Sequence, residues 1–309
     1  MDADEPTTPP TANGFIFDLP NEIQRPIFEY AAKLDGRCAF NLGQVARYVY
    51  LWIQPILYER IVVRSPRAAS CLLRTFRSKP RGYFERITKS LAFDNSVTLQ
   101  QAKPILAECS RRIFLLSLFR TSNAEDSFLK FVRSPFLRRL TLVFSEQDDQ
   151  APFLYRLAPY EMPFELLSSL THLAIVIEYS HGPWMNLVLA SQFSMNANIT
   201  SYMNAQAAFQ NLTHFAISSA RFFAVVPIKK IAHNIRYFGV LAPCNLSQWG
   251  SDALIQSVRG TGDHSIVVLY DLGVADSWNV LDSFAPSEFW KTIEHLVDGG
   301  YISDKGEKW

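Results

Sequence analysis

The sequence predicts an α/β protein, in which a small N-terminal helical module precedes an irregular α/β solenoid with parallel strands. Three observations lead to this fold class. Apolar residues recur at helical spacing near the N-terminus, a crude leucine pattern recurs along the remainder, and 48% of the 309 residues are hydrophobic. That hydrophobic share is enough to build a sizeable core, and it excludes wholesale disorder.

The helical module is predicted over residues 15–63, after an acidic, Pro- and Thr-rich lead at residues 1–14 that we expect to be disordered. Steps of three and four residues are typical of one apolar helix face. The first such stripe consists of Ile23, Ile27, Phe28 and Ala31. The second consists of Leu42, Val45, Val49 and Trp52. Pro26 either kinks the first helix or begins a separate one, and Pro55 closes the second segment.

The N-terminal pattern resembles a known module. The run Leu19-Pro20-Asn21-Glu22-Ile23, then Ile27-Phe28, then Asn41-Leu42 through Val45-Ala46-Arg47, resembles the F-box over roughly 45 residues. The following run, Trp52 to Val62, looks like the segment after the F-box in fungal F-box proteins with leucine-rich-repeat-like tails. The resemblance implies binding to the Skp-family adaptor of a cullin–RING ubiquitin ligase. The implied adaptor-binding residues are Leu19, Pro20, Ile23, Ile27, Phe28, Leu42 and Val45.

A crude L-x-x-L-x-L pattern marks the strand-like segments of residues 64–285, which we interpret as a leucine-rich-repeat-like domain. The copies are Ile113/Leu116/Leu118, Leu137/Leu140/Leu142, Leu170/Leu173/Ile175, Leu212/Phe215/Ile217 and Ile235/Phe238/Val240, with partial copies at Leu91/Phe93 and Ile266/Val268. Their central positions are 25, 24, 33, 42, 23 and 30 residues apart. Several of these intervals fall within the range of about 20–29 residues that leucine-rich repeats show.

Stacked strand–helix units bury one continuous core that a single unit cannot form. The pattern therefore predicts that Leu140, Leu173, Phe215 and Phe238 lie buried in adjacent parallel strands. Helical candidates precede most strands, at residues 99–110, 125–132 and 201–209. The alternative is a doubly wound α/β sheet, which is disfavoured because no glycine-rich phosphate-binding motif follows any strand.

A capping helix and tail are predicted at residues 286–309. Pro286 precedes Ser287, a suitable N-cap, and Gly299-Gly300 would stop the helix. Its apolar face consists of Phe289, Trp290, Ile293, Leu296 and Val297. Terminal repeats need such a cover to shield the last open layer of the core.

Residue types that carry chemistry are present but not in catalytic patterns. Asp263-His264-Ser265 is interpreted as a polar loop before a strand. His172 and His214 recur in matching Leu-Thr-His contexts, which favours a structural role on the polar face of two strands over metal binding. The chain has no G-x-S-x-G motif and no zinc-helix histidine pair. We therefore expect no enzyme activity, no catalytic residue, no metal ligand and no cofactor.

A basic stretch follows the helical module, with eight basic residues and one acid between Arg64 and Lys89. Ser65-Pro66 is a suitable helix start, which turns Leu72, Leu73 and Phe76 inward. Arg67, Arg74 and Arg81 would then recur every seven residues. They form either a solvated helix face or a patch that binds an acidic partner. Nucleic acid is disfavoured because no nucleic-acid module accompanies them.

The remaining features bear on compartment and function. Thirty basic and 29 acidic residues give no global charge signal, and the chain begins with no signal-peptide pattern. We expect a cytoplasmic or nuclear protein without a membrane span. The predicted function is the substrate-recognition subunit of an SCF-type ubiquitin ligase, with an unknown protein substrate. The alternatives are a repeat-type interaction scaffold with a decayed F-box and, less favoured, an α/β hydrolase-like enzyme.

Overall fold

The chain forms two compact units, Met1–Glu59 and Arg60–Trp309. A computed structural model describes residues 19–34, 36–94, 96–119, 131–145, 164–178, 209–218, 232–242, 248–270 and 286–308. The predicted lead at residues 1–14 lies outside this part. The helical candidates at 125–132 and 201–209 also lie outside it, except for residues 131–132 and 209. The first unit ends before residue 63 because residues 60–63 pair with the sheet of the second unit.

The described residues of unit 1, from residue 19 onward, form three helices rather than two helical segments. They are α1 (Asn21–Leu34), α2 (Gly36–Leu42) and α3 (Arg47–Glu59). The buried core of the unit consists of Phe28, Ala32, Ala39, Val49 and Ile53. Both prolines lie inside helices, so Pro26 does not begin α1 and Pro55 does not close α3.

Unit 2 contains one sheet of eight parallel strands, and the described strands follow one another in chain order. The strands are β1 (Arg60–Val63), β2 (Ser90–Phe93), β3 (Leu115–Phe119), β4 (Arg139–Ser145), β5 (His172–Glu178), β6 (His214–Ser218), β7 (Tyr237–Leu241) and β8 (Ile266–Leu269). The helices are α4 (Pro66–Arg77), α5 (Tyr83–Ile87), α6 (Leu99–Cys109), α7 (Phe164–Ser169), α8 (Gln248–Arg259) and α9 (Pro286–Asp298). A doubly wound sheet requires a reversal of strand order. The eight described strands show no reversal.

The central leucine positions form one continuous row across the sheet. Leu140 pairs with Leu173, Leu173 with Phe215, and Phe215 with Phe238. All four side chains are buried, so this prediction is confirmed. At the last strand the predicted register is wrong by two residues, because Ile266 and not Val268 pairs with Phe238.

The opposite face of the sheet carries small residues over β5 to β7, and α9 packs on it. Ala174, Ala216 and Gly239 are register partners on this face, since side chains alternate along a strand. Trp290 and Ile293 of α9 join the same buried cluster. The helix thus lies on a face of the sheet beside its last two strands, and its role as a cap stays a prediction. The helix begins at Pro286, at the predicted bound, so Ser287 lies inside it and is not its N-cap.

The tail after α9 protects the edge of β8. Ser303 forms a parallel bridge with Val268, and the Val268 amide donates to the Ile302 carbonyl at 2.7 Å. The Asp304 carboxylate accepts the Tyr270 amide. An exposed strand edge is a site of unwanted pairing, and this segment covers it. Among the described helices, none is long and apolar enough to cross a membrane.

Candidate functional site

Three groups of side chains are candidates for function, and the first is an exposed apolar stripe on α1. Ile23 and Ile27 are 50% and 52% exposed, and Tyr30 and Leu34 follow at the same helical spacing with 67% and 70% exposed. Leu19, just before the helix, is 37% exposed. We call these five residues the α1 stripe. Tyr30 and Leu34 were missed in the sequence, although steps of three and four residues from Ile27 lead to them.

The remaining implied adaptor contacts divide between surface and core. Pro20 is exposed, and Val45 is 51% exposed. Phe28 is buried in the core of unit 1, and Leu42 packs against that core. Phe28 is therefore not part of the partly exposed apolar patch that was expected, while the adaptor-binding role of the half-buried Leu42 stays a prediction. Consecutive helical residues point about 100° apart, so a helix that exposes Ile27 turns Phe28 inward.

The second group is the basic stretch. The helix starts as predicted, because the Ser65 hydroxyl accepts the Ala68 amide at 3.1 Å and Pro66 is the first helical residue. Arg67 and Arg74 are exposed on α4, but the helix ends at Arg77. Arg81 is exposed beyond that end, so the predicted seven-residue repeat does not continue along one helix.

The third group lies where four neighbouring strands begin. Arg139, His172, His214 and Tyr237 are the first residues of β4 to β7, and each is the register partner of the next. Their side chains share the face of the sheet on which α9 packs, because residues at equivalent positions of parallel strands point to the same side. The sheet therefore aligns a cation, two imidazoles and a phenol in one row.

The two imidazole rings stack on each other and are held at their edges. Their centroids are 3.9 Å apart and their planes differ by 8°. Tyr237 stacks on the other side of His214 at 4.7 Å. Trp290 of α9 meets both rings edge-on, at 5.1 Å from His172 and 5.6 Å from His214. These contacts limit ring rotation and place both rings beside α9.

The threonine before each histidine contacts the Nδ1 atom of that ring. Thr171 Oγ1 lies 3.1 Å from the Arg138 carbonyl oxygen and 2.8 Å from His172 Nδ1. Thr213 Oγ1 lies 3.2 Å from the Thr171 carbonyl oxygen and 2.8 Å from His214 Nδ1. A hydroxyl has one proton. When it donates that proton to the carbonyl, it accepts from Nδ1–H, and the Nε2 atom of the neutral ring keeps a lone pair.

Glu294 of α9 completes the group. Its Oε1 atom lies 2.9 Å from His214 Nε2. A nitrogen lone pair and a carboxylate oxygen repel each other at that distance, so a proton or a metal ion must lie between them. We call His172, His214 and Glu294 the histidine–glutamate cluster. Their three potential ligand atoms lie within 4.8 Å of one another.

Burial and the nearby positive charge favour the neutral form of both imidazoles. Burial, together with the neighbouring His214 and Arg139, lowers the pKa of His172 to about 3. Burial also lowers the pKa of His214, and Arg139 acts in the same direction, while Glu294 opposes both. The pKa of Arg139 is itself lowered by burial, and its buried Nε has no hydrogen-bond partner among the described residues. His172 is therefore a neutral base at pH 7.

Sequence reasoning placed both histidines on the polar face of two strands, which is wrong because α9 covers that face with Trp290 and Ile293. It also missed the partner of His214. Glu294 lies 80 residues after His214, and no local spacing connects them. Asp263-His264-Ser265 is the predicted polar loop before β8, with the Ser265 hydroxyl donating to Asp263 Oδ1 at 2.7 Å.

Comparisons of the chain with protein families, with curated proteins and with solved structures give no match. The fold and these surfaces define a two-unit α/β protein with eight parallel strands, an exposed apolar helix stripe and a partly buried histidine–glutamate cluster.

Proposed function

We propose that the chain is the substrate-recognition subunit of an SCF-type cullin–RING ubiquitin ligase. Unit 1 would bind a Skp-family adaptor, and unit 2 would bind a protein substrate. The proposal starts from the F-box resemblance at residues 15–63 and is carried by one observation, the exposed α1 stripe. Ile23, Ile27, Tyr30 and Leu34 are each at least half exposed along one side of a single helix.

An apolar stripe of this kind supports a protein-binding role on energetic grounds. Burial of apolar surface contributes about 25 cal/mol per Å². Contiguous exposed apolar patches on soluble proteins mark interaction sites. Within the helix, the stripe residues Ile23, Ile27 and Leu34 are branched aliphatic side chains at i, i+4 and i+11, of the kind that pack into a partner's groove as helix anchors.

The sheet supports the second half of the proposal. Strand order follows the chain, and the L-x-x-L-x-L copies lie in register from β3 to β7. Both properties are typical of stacked repeats, in which each unit contacts its neighbours. We therefore propose that unit 2 is a leucine-rich-repeat-like solenoid. In this function the chain does no chemistry, and it raises the effective concentration of its substrate at the ligase.

A second candidate is a repeat-type scaffold whose F-box no longer binds an adaptor. The burial of Phe28 and the half-burial of Leu42 favour it, because the resemblance implies that both side chains contact the adaptor. The two candidates share unit 2 and differ in adaptor binding alone.

The test is co-purification of the full chain with a purified Skp-family adaptor. We expect a stable complex, and at least tenfold weaker binding after Leu19→Ala with Pro20→Ala or after Ile23→Ala with Ile27→Ala. Phe136→Ala is the matched control, since it removes an apolar side chain that is 54% exposed in unit 2. Wild-type protein that does not bind the adaptor would rule out the first candidate and leave the scaffold.

A further inference from the structure

We infer that His172, His214 and Glu294 form a binding site for one divalent transition-metal ion of the zinc type. The ion would lie between the starts of β5 and β6 and helix α9. This inference is independent of adaptor binding. Two imidazole nitrogens and one carboxylate oxygen are a ligand set that zinc takes in proteins, with a fourth position left for water or another ligand.

The distances fit after a small adjustment. The three ligand atoms lie within 4.8 Å of one another. A tetrahedral ion with bonds of about 2.0–2.1 Å holds its ligand atoms about 3.4 Å apart. The atoms therefore need to approach by less than about 1.5 Å, which is within the range of small χ rotations. The Glu294 side chain is 38% exposed, which leaves it room to move and gives an ion a path from solvent.

The surroundings of the imidazoles are those of metal ligands. Metal-binding histidines almost always donate the second ring N–H to an oxygen, which fixes the tautomer and aims the other nitrogen at the ion. Thr171 and Thr213 provide that oxygen at 2.8 Å for both rings. Each hydroxyl is in turn anchored on a backbone carbonyl. The same Leu-Thr-His sequence in two adjacent strands thus builds the same support twice.

The contact between His214 and Glu294 brings two of the potential ligand atoms together. With Nδ1 as the donor, Nε2 faces the carboxylate oxygen at 2.9 Å with a lone pair. Either a proton or a metal ion removes this repulsion. Binding of zinc releases that proton, because the ligands must be deprotonated.

One neighbouring charge opposes the metal ion. Arg139 lies at the paired position on β4, and its positive charge acts on both histidines. The same charge must weaken the binding of a divalent cation, while Glu294 strengthens it. Zinc binding at this site should therefore strengthen when the charge of Arg139 is removed, whereas adventitious binding to surface histidines should not change. Arg139→Gln should bind zinc more tightly than wild type.

The experiment titrates the metal-free full chain with ZnCl₂ and measures both the Tm and the amount of zinc bound. A second titration with CoCl₂ is measured by visible absorption. We expect one ion per chain, a higher Tm with zinc and a tetrahedral cobalt spectrum. His172→Ala, His214→Ala and Glu294→Gln should each lower the affinity at least tenfold and remove the rise in Tm. His264→Ala is the control, since it removes an exposed histidine from a loop of the same unit.

Far-UV circular dichroism of each metal-free variant separates loss of a ligand from loss of the fold. Glu294→Gln is the variant for which loss of the fold is least expected, because the Glu294 side chain is partly in solvent. Unchanged affinity in folded Glu294→Gln and His172→Ala would overturn the inference. So would wild-type protein that shows no saturable binding, or Arg139→Gln that binds zinc more weakly than wild type.

Discussion

His172 and His214 lie face to face across β5 and β6, with ring centroids 3.9 Å apart. The stacking follows from register, because these residues are the first paired positions of two adjacent parallel strands. Parallel strands lie about 4.7–4.9 Å apart, so equivalent aromatic side chains stack with little adjustment. Trp290 and Glu294 of α9 contact this pair from above the sheet face. Helix α9 therefore packs in the buried cluster through Ile293 and also contacts His214 at the start of β6 through Glu294.

The row of central leucine positions should carry much of the stability of unit 2. Leu140 is 1% exposed, and Leu140→Ala should lower the free energy of unfolding by about 2–5 kcal/mol through lost burial and a residual cavity. Phe136→Ala, at a side chain that is 54% exposed, should change it by less than about 0.5 kcal/mol. Urea unfolding of the full chain measures both. Equal effects of the two changes would contradict the assignment of the core.

Gly239 should be required by the close approach of α9. A Cβ at this position would lie 2.7 Å from Ile293 Cδ1, in a cluster where Ile293 is fully buried. Gly239→Ala should therefore cost about 1–2 kcal/mol through overpacking. Ile293→Val removes the Cδ1 atom, so the double variant should be more stable than the sum of the single effects predicts. Additive effects in thermal unfolding would show that the helix does not pack here.

Cys109 should be inert in the folded protein and should make stability fall at high pH. Burial raises the pKa of its thiol from 9.0 to about 12, against the opposing hydrogen bond with Thr88. The folded state therefore holds its proton where the unfolded state loses it. The resulting stability is complete below about pH 9 and is lost as pH rises toward 12, by up to about 1.4 kcal/mol per pH unit.

Two measurements test this thiol. The free energy of unfolding of wild type should fall more steeply between pH 8 and 10 than that of Cys109→Ala, which lacks the titrating group. Alkylation followed by peptide mapping should modify the exposed Cys71 and leave Cys109 unmodified until the protein unfolds. Parallel pH profiles of the two proteins, or rapid alkylation of Cys109, would contradict the prediction.

Arg67, Arg74 and Arg81 are all exposed, so replacing them together by Gln should leave the Tm nearly unchanged. If they bind an acidic partner, the triple variant should associate more slowly with it, and added salt should slow the wild type in the same way. Surface-based kinetics with the adaptor, and with any substrate that is recovered, measure this. Association rates that are independent of both salt and the triple change would assign the three arginines to a solvated surface.

Local sequence signals predicted where helices and strands lie better than they predicted which residues those elements contact. Ser65-Pro66 begins α4, residues 99–109 form α6, and Leu140 through Phe238 pair as the leucine pattern indicates. The pattern failed at β8, where Ile266-Val267-Val268-Leu269 is buried throughout. A continuous apolar run offers no alternation, so nothing in it distinguishes Ile266 from Val268 as the partner of Phe238.

The sequence by itself determined the α/β class, the parallel pairing and the helical character of unit 1, because these depend on periodicity and on end signals within a few residues. Only the tertiary structure decided that Phe28 faces the core, that α9 lies on a sheet face, and that Glu294 meets His214. The meeting of two residues that are 80 positions apart depends on where a helix packs. That choice is made by the space above Ala174, Ala216 and Gly239, which no single segment of the sequence contains.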